Sequence, residues 1–226
     1  MREEFDLTIR ISTENARVVV EQQRADGAVS TKNISPHSLA ECIKGSLHDQ
    51  AEYFSGLLPE GCIAVKMDKS FTTFFIRYPE LYADFTYQKT SYLHFPIPRL
   101  VFAFKYMPAE GKVAGCRLCV VKDEPLTLDT PTFWYPFSNV SGDGHICTGN
   151  NALPVYKDTS RLHTLAGYIL RLPNNNDQYY SDHNKPGAEF RDLLEHMKDK
   201  SPEHYYSDIL VKNNRTLRDF LNWRYL

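Results

Sequence analysis

The sequence predicts an α+β fold in which an antiparallel β-meander precedes a helical C-terminal region. Segments rich in β-branched and aromatic residues, separated by turn residues, run through the first half of the chain. Apolar residues at helical spacing dominate the last third. A run of strands followed by a run of helices is typical of the α+β class.

The N-terminal part predicts two strands and a helix. Residues 7–11 and 17–22 have strand composition, with residues 13–15 as the turn between them. Ser35 followed by Pro36 predicts a helix start, because serine caps helix N-termini and proline suits the first turn. One face of this helix carries an apolar stripe of Leu39, Cys42, Ile43 and Leu47.

The next region predicts the meander. Its strands are expected at residues 63–67, 71–78, 99–106 and 113–121. In the third of them, Leu100, Phe102 and Phe104 alternate with Val101 and Ala103, so apolar residues occur on both faces. A turn at residues 108–111 leads into the last strand.

The C-terminal region predicts three helices, each from an apolar stripe at helical spacing. The stripes are Leu162, Leu165, Ala166 and Ile169; Phe190, Leu193, Leu194 and Met197; and Leu217, Phe220 and Leu221. Pro186 is expected near the start of the second helix. Thr216, with Asp219 three residues later, predicts a capping-box variant before the third.

Length and composition indicate a globular protein. The chain has 226 residues, of which 42% are hydrophobic and 24% charged. We expect a domain at residues 61–226, with residues 1–60 as an integral N-terminal addition.

Charge and hydropathy argue against two classes of partner. The net charge of −2 shows no basic excess, and Arg215, Arg218 and Arg224 fit a solvated helix face better than a nucleic-acid track. The longest apolar stretch is too short to cross a bilayer, and residues 1–5 do not resemble a signal peptide. We therefore expect a cytoplasmic protein with reduced thiols.

Four of the five cysteines are expected to be packing residues: Cys42, Cys62, Cys116 and Cys119. Cys116 and Cys119 have metal-ligand spacing, but residues three apart in a strand point to opposite faces. No second Cys/His pair completes a four-ligand set, so we predict no metal and no cofactor.

The remaining cysteine, Cys147, lies in an irregular segment between the meander and the helices. Three prolines between residues 125 and 136 argue against a helix there. Gly142 and Gly144 around Asp143 predict a tight turn. Cys147 should therefore emerge from a turn, which favours a catalytic thiol over a buried structural one.

This segment resembles the active-site stretch of ubiquitin-conjugating enzymes. The family pattern runs from a His-Pro-Asn triplet through a polar turn to Gly-x-Ile-Cys. In this chain Phe137-Ser138-Asn139 occupies the position of the triplet, and Gly144-His145-Ile146-Cys147 matches the ending. Cys147 follows Asn139 by eight positions, which is the family spacing. Pro136-Phe137-Ser138-Asn139-Val140 is similar to the prokaryotic branch called family D, which includes protein B of PRTRC plasmid systems. The resemblance covers residues 93–154 and includes Phe95-Pro96 and Pro98.

Two departures distinguish the chain from the eukaryotic pattern. Phe137 and Ser138 replace His-Pro, so the hydrogen bonding that shapes the family's loop does not carry over. The Trp-Ser-Pro segment after the cysteine is absent, because the only tryptophans are Trp134 and Trp223.

The resemblance implies a UBC-like fold and a thioester carrier that accepts a bacterial ubiquitin-like modifier on Cys147 and passes it to an amine. It implies as partners a ubiquitin-activating-enzyme-like protein, the modifier and a metalloprotease of the JAB type. Plasmid-borne and antiphage defence operons are the settings that it suggests.

The family match gives Asn139 a role, either donating a hydrogen bond to the tetrahedral oxyanion or fixing the surrounding loop. The acid that assists the attacking amine stays unassigned among Asp143, Asp158 and Asp177. Two alternatives to the carrier stay open. One is a non-catalytic scaffold of the same fold, and the other is a cysteine hydrolase using Cys147 with His145 or His163.

Overall fold

The computed structural model describes residues 7–12, 14–23, 27–48, 55–122 and 125–222. Thr13, Trp223 and Arg224, which carry sequence-based expectations, lie outside these ranges. The chain divides into two compact units, Met1–Ser55 and Gly56–Leu226. In the described ranges, no helix is both long and apolar enough to cross a bilayer.

The first unit is a three-stranded antiparallel sheet with one helix. Its strands are β1 (Leu7–Ser12), β2 (Arg17–Gln23) and β3 (Val29–Ile34), and its helix is α1 (Pro36–His48). Both predicted strands and the predicted helix are confirmed, whereas β3 was missed because its sequence is mostly polar. Ser35 Oγ accepts the Ser38 N–H at 3.0 Å, as a serine cap should.

The described part of the apolar stripe of α1 is less buried than predicted, and the Leu47 side chain lies outside the described part of the protein. Leu39 is half-buried, whereas Cys42 and Ile43 are exposed. The helix contacts its own sheet mainly along β2, so the sheet covers only part of the helix surface. The packing role predicted for Cys42 is therefore wrong.

The second unit is built on a six-stranded antiparallel sheet with the order β11-β10-β9-β8-β5-β4. All four predicted meander strands are present. The strands are β4 (Cys62–Met67), β5 (Thr72–Tyr78), β8 (Leu100–Met107), β9 (Lys112–Val121), β10 (Pro131–Phe133) and β11 (Lys212–Thr216).

Four strands of this unit were missed by the sequence analysis, including the short β10, which lies in the proline-containing segment that was expected to be irregular. β6 (Leu81–Tyr87) and β7 (Thr90–Ile97) form a separate hairpin between β5 and β8, so the meander is interrupted. β11 has the polar sequence KNNRT, and it is a strand because it pairs with β10. Strand composition gives no signal there, since the pairing partner lies about eighty residues earlier in the chain.

The sheet of the second unit is packed on both faces. On one face, Phe102 and Phe104 share a core with the apolar stripes of α2 (Thr164–Leu170) and α3 (Phe190–Met197). On the other face, Val101 and Cys119 pack with Leu217 of α4 (Leu217–Leu221). The mixed α and β content with mostly antiparallel strands confirms the outline of the predicted fold class.

The helix boundaries follow the predicted caps with one exception. Thr216 and Asp219 form the predicted capping box at α4. Pro186, however, is not an early helical position, because α3 begins at Phe190. The Asn184 side chain accepts the Ala188 N–H at 2.9 Å, which holds this segment in a turn before the helix starts.

Candidate functional site

Cys147 lies at the end of a small hairpin that follows β10 and packs beside β9. Val140 and Ile146 form an antiparallel bridge, and the Cys147 N–H donates to the Asn139 carbonyl oxygen at 2.8 Å. Ile146 is buried, whereas Cys147, the next residue, is exposed. The Cys147 side chain therefore lies on the solvent-exposed side of the hairpin.

The hairpin turns through Ser141–His145. The Gly144 N–H donates to the Ser141 carbonyl at 2.7 Å, and Gly144 has φ +86°. A Cβ at Gly144 would lie 2.6 Å from the Leu118 carbonyl oxygen of β9, so glycine is required there by both conformation and space. The predicted tight turn before Cys147 is confirmed.

Asp143 holds the turn together. Its carboxylate accepts hydrogen bonds from the Ser141 hydroxyl and the His145 N–H, and it forms an ion pair with Arg117 of β9. Partial burial raises the pKa of Asp143, but these hydrogen bonds and the Arg117 charge outweigh burial and lower the pKa overall. The Asp143 carboxylate is therefore already engaged in the hydrogen bonds and the ion pair that stabilise the turn.

Aromatic packing anchors the chain before Asn139. The Phe137 side chain is 1% exposed, and its ring centroid lies 5.1 Å from those of Phe85 and Tyr135 and 5.8 Å from that of Phe95. Ser138 is also buried, and its hydroxyl donates to Asn174 Oδ1 at 2.9 Å. These contacts fix the chain immediately before Asn139.

Asn139 donates three hydrogen bonds in addition to accepting the one from the Cys147 N–H. Its backbone N–H donates to the Asp177 carbonyl at 3.1 Å, and Nδ2 donates to the Pro173 carbonyl at 3.0 Å and to Asn174 Oδ1 at 3.3 Å. Its φ of +62° is a conformation that asparagine tolerates better than most residues. Both Nδ2 hydrogens are thus engaged with the chain itself.

Asn139, Cys147 and Asn174 border a shallow depression at the protein surface. Its cavity volume is about 20 Å³, enough for roughly one water molecule. The apolar part of its lining includes Leu118, Ile169 and Leu172. The depression is too small to enclose a ligand much larger than water, and the Cys147 side chain beside it is exposed.

In the part of the chain that the structure describes, neither candidate histidine is hydrogen-bonded to the thiol. His145 Nδ1 lies 3.1 Å from the Ile146 carbonyl oxygen, and His163 Nδ1 lies 3.0 Å from the Ser160 carbonyl oxygen. Within the described ranges, no hydrogen bond joins either ring to Cys147. The thiolate–imidazole pair that a cysteine hydrolase needs is not assembled here.

The three candidate acids occupy different environments. Asp158 caps the short helix at Thr159–Arg161, where hydrogen bonds from the Ser160 hydroxyl and N–H lower its pKa. Asp177 is exposed, its backbone carbonyl accepts the Asn139 N–H, and its carboxylate accepts from Asn175 Nδ2 at 2.8 Å. Of the three, only Asp177 bonds directly to Asn139.

Two other cysteines of this unit have structural roles. Cys116 and Cys119 are buried on opposite faces of β9, as predicted. Burial raises the pKa of Cys116 to about 12 and raises that of Cys119 further. Cys62 is half-buried, and burial raises its pKa also. Across the described ranges, no three His, Cys, Asp or Glu side chains converge as a metal site.

A protein-family model matches most of the chain. The family model of prokaryotic E2 family D matches residues 42–212, which is well over half of the 226 residues. The chain belongs to prokaryotic E2 family D. This confirms the resemblance found in the sequence and supports a ubiquitin-conjugating-like role in general. Searches of curated proteins and of solved structures find no match.

The sequence analysis did not identify two residues that hold the segment before Cys147, Ser138 and Asn174. Ser138 was considered only as a departure from the family pattern. Asn174 lies 27 positions after Cys147 in the run Pro173-Asn174-Asn175-Asn176, which has the composition of an ordinary loop. No local signal distinguishes Asn174 from its neighbours, because its partners come from β6 and the Cys147 hairpin.

Proposed function

We propose that this family D protein has a UBC-like fold and carries a bacterial ubiquitin-like modifier as a thioester on Cys147, before passing it to an amine. The observation that carries the proposal is the exposed Cys147 thiol at the end of a tightly bonded hairpin, at the family's spacing from Asn139. An exposed thiol on a rigid support is what a protein-sized thioester partner needs.

Two acyl transfers make up the proposed reaction. First, the Cys147 thiolate attacks the carbonyl carbon of the modifier's thioester on the activating enzyme, and that enzyme's sulfur leaves as a thiolate. Then the nitrogen of an acceptor amine attacks the new thioester, the C–N bond forms, the amine loses a proton and the Cys147 sulfur leaves. A thiol suits both steps because it is a good nucleophile and a good leaving group.

Asn139 acts as a positioning residue in this proposal. Both of its Nδ2 hydrogens are bonded to Pro173 and Asn174, so it would have to break one of these bonds to donate to an oxyanion. Its carbonyl oxygen meanwhile accepts the Cys147 N–H. Fixing the loop is the role that requires no rearrangement.

Asp177 is the carboxylate that we assign to the amine side of the reaction. Asp177 is exposed, and its backbone carbonyl accepts the Asn139 N–H, whereas the Asp143 carboxylate is engaged in its turn and the Asp158 carboxylate in its helix cap. The Asp177 carboxylate accepts only from the neighbouring Asn175 side chain among the described residues. A carboxylate on a residue bonded to Asn139 would attract the acceptor amine and assist the loss of its proton.

The partners in this proposal are an activating-enzyme-like protein that supplies the modifier, the modifier itself and a JAB-type metalloprotease. The setting is the bacterial cytoplasm, in a plasmid or antiphage operon. No cofactor is bound by this chain in the proposal, since ATP is consumed by the activating enzyme.

The test is to incubate the full chain with modifier, activating enzyme and ATP. We expect an adduct that a reducing agent removes, and that Cys147→Ser abolishes or converts to a reductant-resistant oxyester. Cys42→Ser is the matched control, because Cys42 is also exposed and should not matter. Absence of an adduct, or its persistence in Cys147→Ala, would overturn the proposal. Unchanged pathway output from Cys147→Ala would favour the scaffold alternative.

A further inference from the structure

Asn174 is a buried polar residue next to the Cys147 hairpin. It follows α2 by four residues, and only 6% of its surface is exposed. Burial of a carboxamide costs free energy unless its polar atoms are hydrogen-bonded. The position of Asn174 is therefore defined by its partners.

The Asn174 side chain joins two parts of the protein. Its Oδ1 accepts from Ser138 Oγ at 2.9 Å and from Asn139 Nδ2 at 3.3 Å. Its Nδ2 donates to the Leu172 carbonyl at 3.1 Å and to the Thr86 carbonyl of β6 at 3.3 Å. The acceptor end thus holds the hairpin segment, and the donor end holds the scaffold.

The Asn174 backbone is fixed independently of the hairpin. Its N–H donates to the Thr86 carbonyl at 2.8 Å, and its carbonyl accepts the Gln88 N–H at 2.7 Å. A parallel bridge between Tyr87 and Asn174 results. Because the backbone is bonded to β6, the side chain is presented to Ser138 and Asn139 from a rigid element.

We infer that Asn174 is a positioning residue that sets the orientation of Asn139 and, through the Asn139 carbonyl, of the Cys147 loop. The inference about loop geometry stands on these hydrogen bonds alone, and its consequence for catalysis rests on the proposed function. Asparagine is required because the site uses one acceptor and two donor hydrogens of a neutral side chain. Alanine supplies neither, and aspartate loses the donors.

Asn184 provides a matched control. It is 2% exposed, its Oδ1 accepts the Ala188 N–H at 2.9 Å, and its Nδ2 donates to the Ser181 carbonyl at 2.8 Å and to Tyr179 Oη at 3.1 Å. It therefore matches Asn174 in burial and bonding, but none of these bonds reaches the hairpin. Asn184→Ala should lower stability comparably and leave the Cys147 loop unchanged.

The first measurement is amide hydrogen exchange at Cys147, whose N–H donates to Asn139. We expect Asn174→Ala to accelerate this exchange roughly tenfold relative to Asn184→Ala at equal global stability, the size expected for lost buried hydrogen bonds. Ser138→Ala removes one hydrogen bond to Asn174 Oδ1 while Asn174 itself stays in place. It should accelerate amide exchange at Cys147 about threefold. Two results together would overturn the inference. The Cys147 amide would exchange no faster in Ser138→Ala than in wild type, and Asn174→Ala would either exchange at the same rate as Asn184→Ala or fail to fold.

The second measurement is single-turnover discharge of the Cys147 thioester to free lysine. Asn174→Ala should discharge about 10- to 100-fold more slowly, as expected for a misplaced reacting group, while Asn184→Ala matches wild type. The Asn139→Ala/Asn174→Ala double variant should be no slower than Asn139→Ala, because one residue acts through the other. Additive losses would overturn the link to Asn139. A wild-type chain that forms no thioester would refute the proposed function, while the exchange measurement still decides the loop inference.

Discussion

Cys147 and the β9 cysteines are neighbours with opposite environments. The Ile146 N–H donates to the Cys116 carbonyl at 3.0 Å, so the hairpin that carries Cys147 is bonded directly to the strand that carries Cys116. The Cys116 side chain is buried and its pKa is raised to about 12 by burial, whereas the Cys147 side chain is exposed. The two cysteines therefore differ in side-chain exposure although the segments that carry them are hydrogen-bonded neighbours.

The difference arises from the path of the chain after each cysteine. β9 continues past Cys116 in strand conformation, so its side chains alternate between two packed faces. The hairpin pairs only as far as Ile146, and the chain then leaves the sheet region. The exposed position of Cys147 therefore combines a strand-like anchor on one side with an irregular path of the chain on the other.

The largest expected effect is on thiol chemistry. Iodoacetamide at pH 7.5 should alkylate Cys147 far faster than Cys116, because Cys147 is exposed to the reagent, whereas Cys116 is buried and burial raises its pKa to about 12, which depletes its thiolate. Peptide mass spectrometry of the folded protein measures the two rates separately. Comparable rates would mean that the two environments do not differ as described. Unfolding in urea should remove the difference.

A second prediction concerns the turn that directs Cys147 outward. Gly144→Ala should lower the free energy of unfolding by about 2 kcal/mol, because a positive φ and a 2.6 Å approach to the Leu118 carbonyl both oppose a Cβ. Urea denaturation measures this change. Gly142→Ala is the control, since the nearest atom there is 4.0 Å away, and it should stay within ~0.5 kcal/mol. Equal effects would show that the turn does not require Gly144.

The smallest expected effect concerns the link from the turn to β9. Asp143→Asn should destabilise the protein by less than ~1 kcal/mol at pH 7, because the carboxylate is half-exposed. The Asp143 pKa is lowered in the folded state, so its contribution is present above the ordinary value of ~3.9 and lost as pH falls through the lower folded value. The wild-type–variant difference should therefore shrink below about pH 4. A difference independent of pH would exclude the charge as its cause.

Much of this architecture could be predicted from local sequence. The four meander strands and the apolar stripes of α2 and α3 come from hydrophobic periodicity, and Thr216 with Asp219 marks the start of α4. Gly144 and Cys147 were placed correctly in a turn and just after it. Each of these features depends on residues only a few positions apart.

Most of the features that could not be predicted depend on distant partners. β11 has no strand pattern and forms because β10 offers an edge. The hairpin of β6 and β7 is an exception, because its two strands are adjacent in the chain and pair with each other. Cys42 was expected to pack, but the small N-terminal sheet leaves it exposed. Periodicity shows which face is apolar, and it does not show whether a partner covers that face.

Short-range spacing was enough to indicate the family, the four meander strands, the helices and the turn before Cys147. The engagement of both Nδ2 hydrogens of Asn139, the ion pair of Asp143 and the link from Asn174 to β6 are visible only in the folded chain. Hydrogen bonds between residues tens of positions apart form only when packing brings them together, so their partners cannot be identified from the chain order.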